Sequence, residues 1–479
     1  MNYFIVKRIG IVCLLFLVFL FFNVKASDLI SGKITESVKC LNYSEESYAV
    51  YIPSNYSSKK EWPVIIAFDP AARGLIPVKL FRNSAEKFGY VVVCSNNSQN
   101  GPWHNIIKSM KAVWVDIQQK FSINTKRVYV TGFSGGSRAA SVFSQVIKVE
   151  PVGIIACGAG LHDKLNPSRI KKSFYYGIIG LEDFNYKEFR RLVPKLEQAG
   201  VRYCIDYVTG GHKWPDEEVI NRAVEWMEVD AVRRGLLDRE KVPIEKIFLN
   251  SFKYAKSLYD DDQYYYYGLI YFESLFKHFN GILKGDSGNE GIMIKDIERK
   301  ISWQKNHGKR FKKFIKKENS RYKREYRFIA LFRDVFNRLE MKGNRRYVLN
   351  SILNDLKIPY LRRIMKKKKG SLDGYWAKRL LAEIAIKADK KSLEYFNRKD
   401  EKTAVLFRKI ALRTGLKKNL NNFRLASIYA AFGKKKKCIK IIGSLLKEVK
   451  NLMDFVVKDP NFDNLLKDPD FKKIFVNND

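Results

Sequence analysis

At 479 residues the chain is too long for one compact core, and its 46% hydrophobic and 14% aromatic content excludes global disorder. The net charge of +39 is unevenly spread: residues 27–230 hold 26 Lys/Arg against 21 Asp/Glu, and residues 231–479 hold 60 against 29. Two differently constituted halves are the simplest reading.

The N-terminus has the pattern of a secretory signal over residues 1–26. Lys7 and Arg8 precede an uncharged apolar run over 9–22, and Val24 and Ala26 offer small residues at the −3 and −1 positions before Ser27. The run is shorter than the ~20 residues needed to span a bilayer. The expectation is an exported protein, periplasmic or secreted. Cys13 lies in the signal; Cys40, Cys94, Cys157, Cys204 and Cys438 are widely spaced, with no CxxC or Cys/His cluster. Neither a disulfide framework, a metal site nor a cofactor is expected.

From about 47 to 215, short apolar runs alternate with amphipathic segments, the pattern of a mostly parallel sheet with crossover helices. The runs fall at 48–53, 64–68, 90–95, 127–131, 153–157, 174–179 and 203–208, with helix-period stretches such as 106–121 and 186–198 between them. After about residue 237 strand-like runs vanish, Lys and Arg multiply, and apolar residues recur at helical spacing, as in Tyr267, Ile270, Tyr271, Ser274 and Leu275. The expected domains are 27–235 (α/β), 236–420 (basic, helical) and 421–479 (a helical end).

Gly132-Phe133-Ser134-Gly135-Gly136 is a G-x-S-x-G directly after a strand-like run and before a helical stretch at 138–147. A sharp strand-to-helix turn there lifts the serine hydroxyl above the sheet edge, and the following helix points amide N–H groups at the same spot. A serine needs a base to take its proton, and the base needs an orienting carboxylate. His212, in Thr209-Gly210-Gly211-His212-Lys213-Trp214-Pro215, follows the last run. His278 and His307 lie in the helical half, His104 precedes the serine, and His162 comes early in the chain for this role. The acid is expected at Asp183 in Gly180-Leu181-Glu182-Asp183, with Asp163 as the alternative and Asp206 a poor third. The two oxyanion N–H donors are expected from Gly135 and, because Pro70 has no N–H, from Ala71 in Phe68-Asp69-Pro70-Ala71, with Asp69 bracing that loop. Trp103 and Trp214 are candidate apolar walls for the substrate.

On Gly132-Phe133-Ser134-Gly135-Gly136, Gly180-x-x-Asp183 and Gly210-Gly211-His212-x-Trp214-Pro215, residues of about 40–230 resemble the α/β-hydrolases of the polyhydroxybutyrate depolymerase-like and feruloyl or acetyl-xylan esterase-like branch. The resemblance implies ester hydrolysis through an acyl-enzyme on Ser134, with Asp183 and His212 completing the triad. Asp69-Pro70 departs from the His-Gly frequent in such relatives. Only residues 158–173 join two successive strands, too few for a large cap, so an open site suited to bulky or polymer-attached esters is expected. A catalytically inactive scaffold and a serine peptidase are the alternatives.

In the helical half, Leu425-Ala426-Ser427-Ile428-Tyr429-Ala430-Ala431-Phe432-Gly433 followed by Cys438-Ile439-Lys440-Ile441-Ile442 resembles one tetratricopeptide-type helix pair, and Asp459-Pro460-Asn461-Phe462 and Asp468-Pro469-Asp470-Phe471 resemble the end of such an array. The densest basic segment, 308–327, mixes Lys312, Lys313, Lys316, Lys317 and Arg321 with Phe311, Phe314, Tyr322 and Tyr326. No nucleic-acid-binding signature accompanies it. An anionic surface or polymer is the expected partner, and a merely solvated helix face is the alternative.

Overall fold

The structure, a computed structural model, describes residues 29–283, 289–341 and 349–476. The expected signal lies outside the described residues. The described residues form two compact units that divide between Gly308 and Lys309.

The first unit is built on one eight-stranded sheet in the order β1-β2-β4-β3-β5-β6-β7-β8. β1 (Ile34–Cys40) and β2 (Tyr43–Tyr51) run antiparallel, and β2 is antiparallel to β4. The rest is parallel: β3 (Trp62–Phe68), β4 (Val91–Ser95), β5 (Ile123–Phe133), β6 (Gly153–Cys157), β7 (Phe174–Gly180) and β8 (Tyr203–Val208). All seven expected runs are strands. β3, β4, β6 and β7 are buried along their whole length, which accounts for their unbroken apolar character. The crossovers are α1 (Leu75–Phe88), α2 (Trp103–Lys120), α3 (Gly135–Ser141) with α4 (Phe143–Ile147), α5 (Tyr186–Gln198) and α6 (Glu217–Arg233). α2 shows the logic: Ile106, Met110, Val113 and Ile117 recur at helical spacing and are buried. This strand order, with an elbow after β5, is the α/β-hydrolase architecture.

The sheet unit does not stop near residue 235. α7 (Ile244–Asp260), α8 (Tyr265–Phe279) and α9 (Asn289–His307) belong to it. The reason is polar as much as apolar. Asp206 on β8 is fully buried; Arg222 of α6 pairs with it at 2.9 Å, and the Tyr254 hydroxyl of α7 donates to it at 2.9 Å. Trp226 Nε1 donates to Ser251 Oγ at 2.9 Å, and the Tyr176 and Tyr271 hydroxyls meet at 3.3 Å. Cut at 235, these buried groups would lose their partners.

The second unit is helical throughout its described residues: α10 (Lys309–Met341), α11 (Leu349–Asp355), α12 (Ile358–Lys367), α13 (Leu372–Asn397), α14 (Glu401–Arg413), α15 (Lys418–Ala431), α16 (Lys435–Leu446), α17 (Leu452–Lys458) and α18 (Pro469–Val476). One core cluster joins α10 to α14 through Phe332, Phe336, Trp376, Leu380 and Phe407; another joins α15 to α18. Residues 425–442 lie on α15 and α16, joined through Gly433 at φ +67°. The two Asp-Pro-x-Phe segments use one device: Asp459 and Asp468 accept backbone N–H bonds at helix starts, and Phe462 and Phe471 are buried in the core.

Candidate active site

Ser134, Asp183 and His212 each stand just past the C-terminal end of a strand (β5, β7 and β8), so the sheet's own register gathers them at one rim. His212 Nε2 lies 2.9 Å from Ser134 Oγ, and His212 Nδ1 lies 2.8 and 3.0 Å from the two Asp183 oxygens. A proton on Nδ1, facing the carboxylate, leaves Nε2 as an acceptor towards the serine. Of the acid candidates, Asp183 is the one bonded to His212; Asp206 is held by Arg222 inside the sheet.

The serine sits at φ 54°, ψ −118°, a sparsely populated positive-φ conformation costing a non-glycine residue about 1–3 kcal/mol. Crowding dictates the flanking glycines. A Cβ on Gly132 would lie 2.2 Å from the Gly136 carbonyl, and one on Gly136 would lie 2.0 Å from the Phe68 carbonyl oxygen. The elbow is thus wedged between β3 and its own helix. α3 runs only to Ser141 before the chain breaks step at Val142, so the expected continuous helix is two short ones.

Asp183 is buried, and its Oδ1 also accepts the Asn185 N–H at 2.8 Å, while Asn185 Nδ2 donates to the Gly158 carbonyl at 2.8 Å. The carboxylate is therefore fixed from two sides. The His212 ring lies between Phe184 and Phe133, with centroids 4.2 and 4.6 Å away. Ser134 and Gly135 remain partly exposed, and β6 connects to β7 with only a single 3₁₀ turn (Pro167–Ile170), so the expected absence of a large cap holds.

Two expected roles are corrected. The Ala71 N–H is taken by Asp69 Oδ1 at 2.9 Å, so it is not a free oxyanion donor. Trp214 is 7% exposed, with Nε1 donating to Asp69 Oδ2 at 2.7 Å and its ring 5.7 Å from Phe133; it braces the site instead of lining an open wall. Both changes trace to Asp69, which does brace its loop. Burial pushes its carboxyl up, but hydrogen bonds from Arg73, Trp214 and Ala71 outweigh that and hold it below the ordinary value. Arg73 pairs with it at 2.9 Å. Trp103 stands at the start of α2, 38% exposed, edge-on to His162 with centroids 4.5 Å apart. Gly135 keeps its N–H free of protein acceptors among the described residues. Sequence reasoning missed Asn185, Phe184 and Phe133 as supports; their only signal was adjacency to the triad residues.

The five cysteines among the described residues are buried and unpaired. No cluster of three metal-ligating side chains occurs among the described residues.

No protein-family model matches the chain, and no curated protein matches it. Solved structures do. It is similar to an S-formylglutathione hydrolase from Staphylococcus aureus (13% identity, 41% of this chain and 99% of that one, TM-score 0.34). It is also similar to a ferulic acid esterase (11%, 41% and 98%, 0.34) and to esterase B from Lactobacillus rhamnosis (15%, 43% and 90%, 0.33).

Proposed function

We propose that the protein is a serine carboxylic ester hydrolase acting through Ser134, His212 and Asp183. The observation that carries this is the unbroken hydrogen-bonded line from Ser134 Oγ to His212 Nε2 at 2.9 Å and from Nδ1 to Asp183 at 2.8 Å. Ser134 Oγ attacks the acyl carbon while its proton passes to Nε2, and the carbonyl oxygen becomes an oxyanion facing the Gly135 N–H. Collapse breaks the ester C–O bond, and the alcohol leaves with the proton from Nε2. Water then attacks the acyl-enzyme, giving its proton to Nε2, and the carboxylic acid departs as Ser134 recovers that proton. Asp183 holds the ring orientation and stabilises the transient imidazolium. A scaffold that had lost catalysis would have no need to keep a strained serine in line with its base.

The partly exposed serine favours bulky or polymer-attached esters. The test is a panel from short p-nitrophenyl esters to aryl and polymer-bound ones, on wild type and Ser134→Ala. Hydrolysis absent from the variant supports the reading; equal rates in both would refute it.

We further propose export after cleavage before Ser27, tested by N-terminal sequencing of the exported protein, with an uncleaved start as the contrary result. The second unit is proposed to meet an anionic surface or polymer. Lys309, Lys312, Lys313, Lys316, Lys317, Lys323 and Arg327 are exposed along α10, and no acidic partner pairs with them among the described residues. Salt-sensitive co-sedimentation with anionic but not neutral vesicles is the expected result.

A further inference from the structure

The oxyanion needs a second donor, and the usual loop offers none. Pro70 has no N–H. The Ala71 N–H goes to Asp69 Oδ1 at 2.9 Å, the Ala72 N–H to the Asp69 carbonyl at 3.1 Å, and the Asp69 N–H faces the buried Cys94 thiol.

Another loop approaches the same place. The segment after β4 is tied to the Asp69 loop by an antiparallel bridge between Ala71 and Gln99 and by the Asn100 N–H donating to the Pro70 carbonyl at 2.8 Å. This sets the Asn100 side chain on Gly135. Its Oδ1, Cγ and Nδ2 lie 1.8, 2.8 and 3.2 Å from the point a Gly135 Cβ would occupy. The carboxamide thus fills the space of the side chain that would follow the nucleophile. It has no protein hydrogen-bond partner among the described residues, although it sits beside the free Gly135 N–H. Half a turn about its last bond exchanges the carboxamide's oxygen and nitrogen within that space.

We propose that Asn100 is a catalytic residue whose Nδ2–H joins the Gly135 N–H in binding the oxyanion, replacing the backbone donor lost to Pro70 and Asp69. This rests on the esterase reading above. It also explains Gly135: any side chain there would evict the carboxamide. A neutral side-chain donor suits the place, because the neighbouring Asp69 carboxylate already has its counter-charge in Arg73.

The test is steady-state kinetics of Asn100→Ala and Asn100→Asp on an ester that the wild type hydrolyses, with the thermal midpoint measured alongside. Removal of one such donor lowers kcat about 10²–10³-fold. Both variants are expected to show that fall, with KM within about threefold and the thermal midpoint unchanged. Asn100→Gln should recover part of the rate, and a trifluoromethyl ketone should lose affinity by a factor comparable to the loss in kcat/KM. A structural role would move the thermal midpoint and leave the split between kcat and KM unselective. Asn100→Ala within fivefold of the wild-type kcat, or a change in KM alone, overturns the proposal while leaving the esterase intact. A wild type that hydrolyses no ester and takes up no fluorophosphonate overturns both.

Discussion

The two units solve the problem of buried polarity in opposite ways. The sheet unit draws charge inward: Asp206 with Arg222, Glu228 with Arg127, Asp116 with Lys120 and Asp69 with Arg73 are pairs with at least one member wholly or nearly wholly buried. The helical unit buries aromatic and aliphatic clusters, keeps a few internal pairs such as Arg379 with Glu325 at 3.0 Å, and leaves most of its cations in water. The proposed chemistry follows the first arrangement. Strand ends deliver single polar groups to one rim at fixed spacing, whereas a helix spreads like residues along a face.

The sharpest way to break this contrast is to cut the chain. A product of residues 29–308 is expected to fold cooperatively and hydrolyse esters. Ending at 235 strips Tyr254, Ser251 and Tyr271 from their buried partners and should leave insoluble or molten protein, seen by circular dichroism. A soluble, active 29–235 product would erase the claim that α7 and α8 complete the sheet unit.

Within the rim, effects should fall on rate and spare stability. Asp183→Asn is expected to lower kcat by about 10⁴-fold and His212→Ala by at least as much, with little change in the thermal midpoint. Gly136→Ala is the counter-case. Its Cβ would meet the Phe68 carbonyl oxygen at 2.0 Å, so stability should drop by more than about 2 kcal/mol together with activity, measured by urea unfolding.

Acid should also find the sheet unit through His278. This imidazole is stacked on Trp226 and Phe174 at centroid distances of 4.7 and 4.4 Å, and burial pushes its pKa down to about 3. Between that value and the ordinary 6.5 the unfolded chain binds the extra proton, so stability is present above about pH 6.5 and is lost as pH falls through this window. The loss between pH 7 and pH 4 is about 3 kcal/mol by linkage. Urea midpoints that fall in this range for wild type, and less steeply for His278→Phe, are expected; identical slopes would contradict the assignment.

The smallest effect belongs to the other unit. Replacing Lys312, Lys313, Lys316 and Lys317 by Gln should weaken binding to anionic vesicles while leaving hydrolysis of a soluble ester within about twofold. A larger loss of rate would tie the basic helix to the chemistry.

The pattern of legibility has the same origin. Buried parallel strands announce themselves as apolar runs, and Ser134, Asp183 and His212 were readable because each follows such a run in a glycine-bearing turn. β1 escaped notice because it is an edge strand with Glu36 and Lys39 in its seven residues and mixed exposure. The unit boundary was misplaced because composition changes where strands end, near 235, while the tyrosines that close the sheet unit lie further along. Ala71 and Trp214 were misassigned because Asp69 reaches both, and its bond to Trp214 spans 145 positions that no local pattern encodes.

Fluorophosphonate labelling of the full-length protein, with the adduct mapped by peptide mass, tests the catalytic rim most directly. One adduct on Ser134 in the wild type, and none in Ser134→Ala, is the predicted result. An unlabelled wild type, or an adduct on another residue with Ser134 untouched, would contradict it.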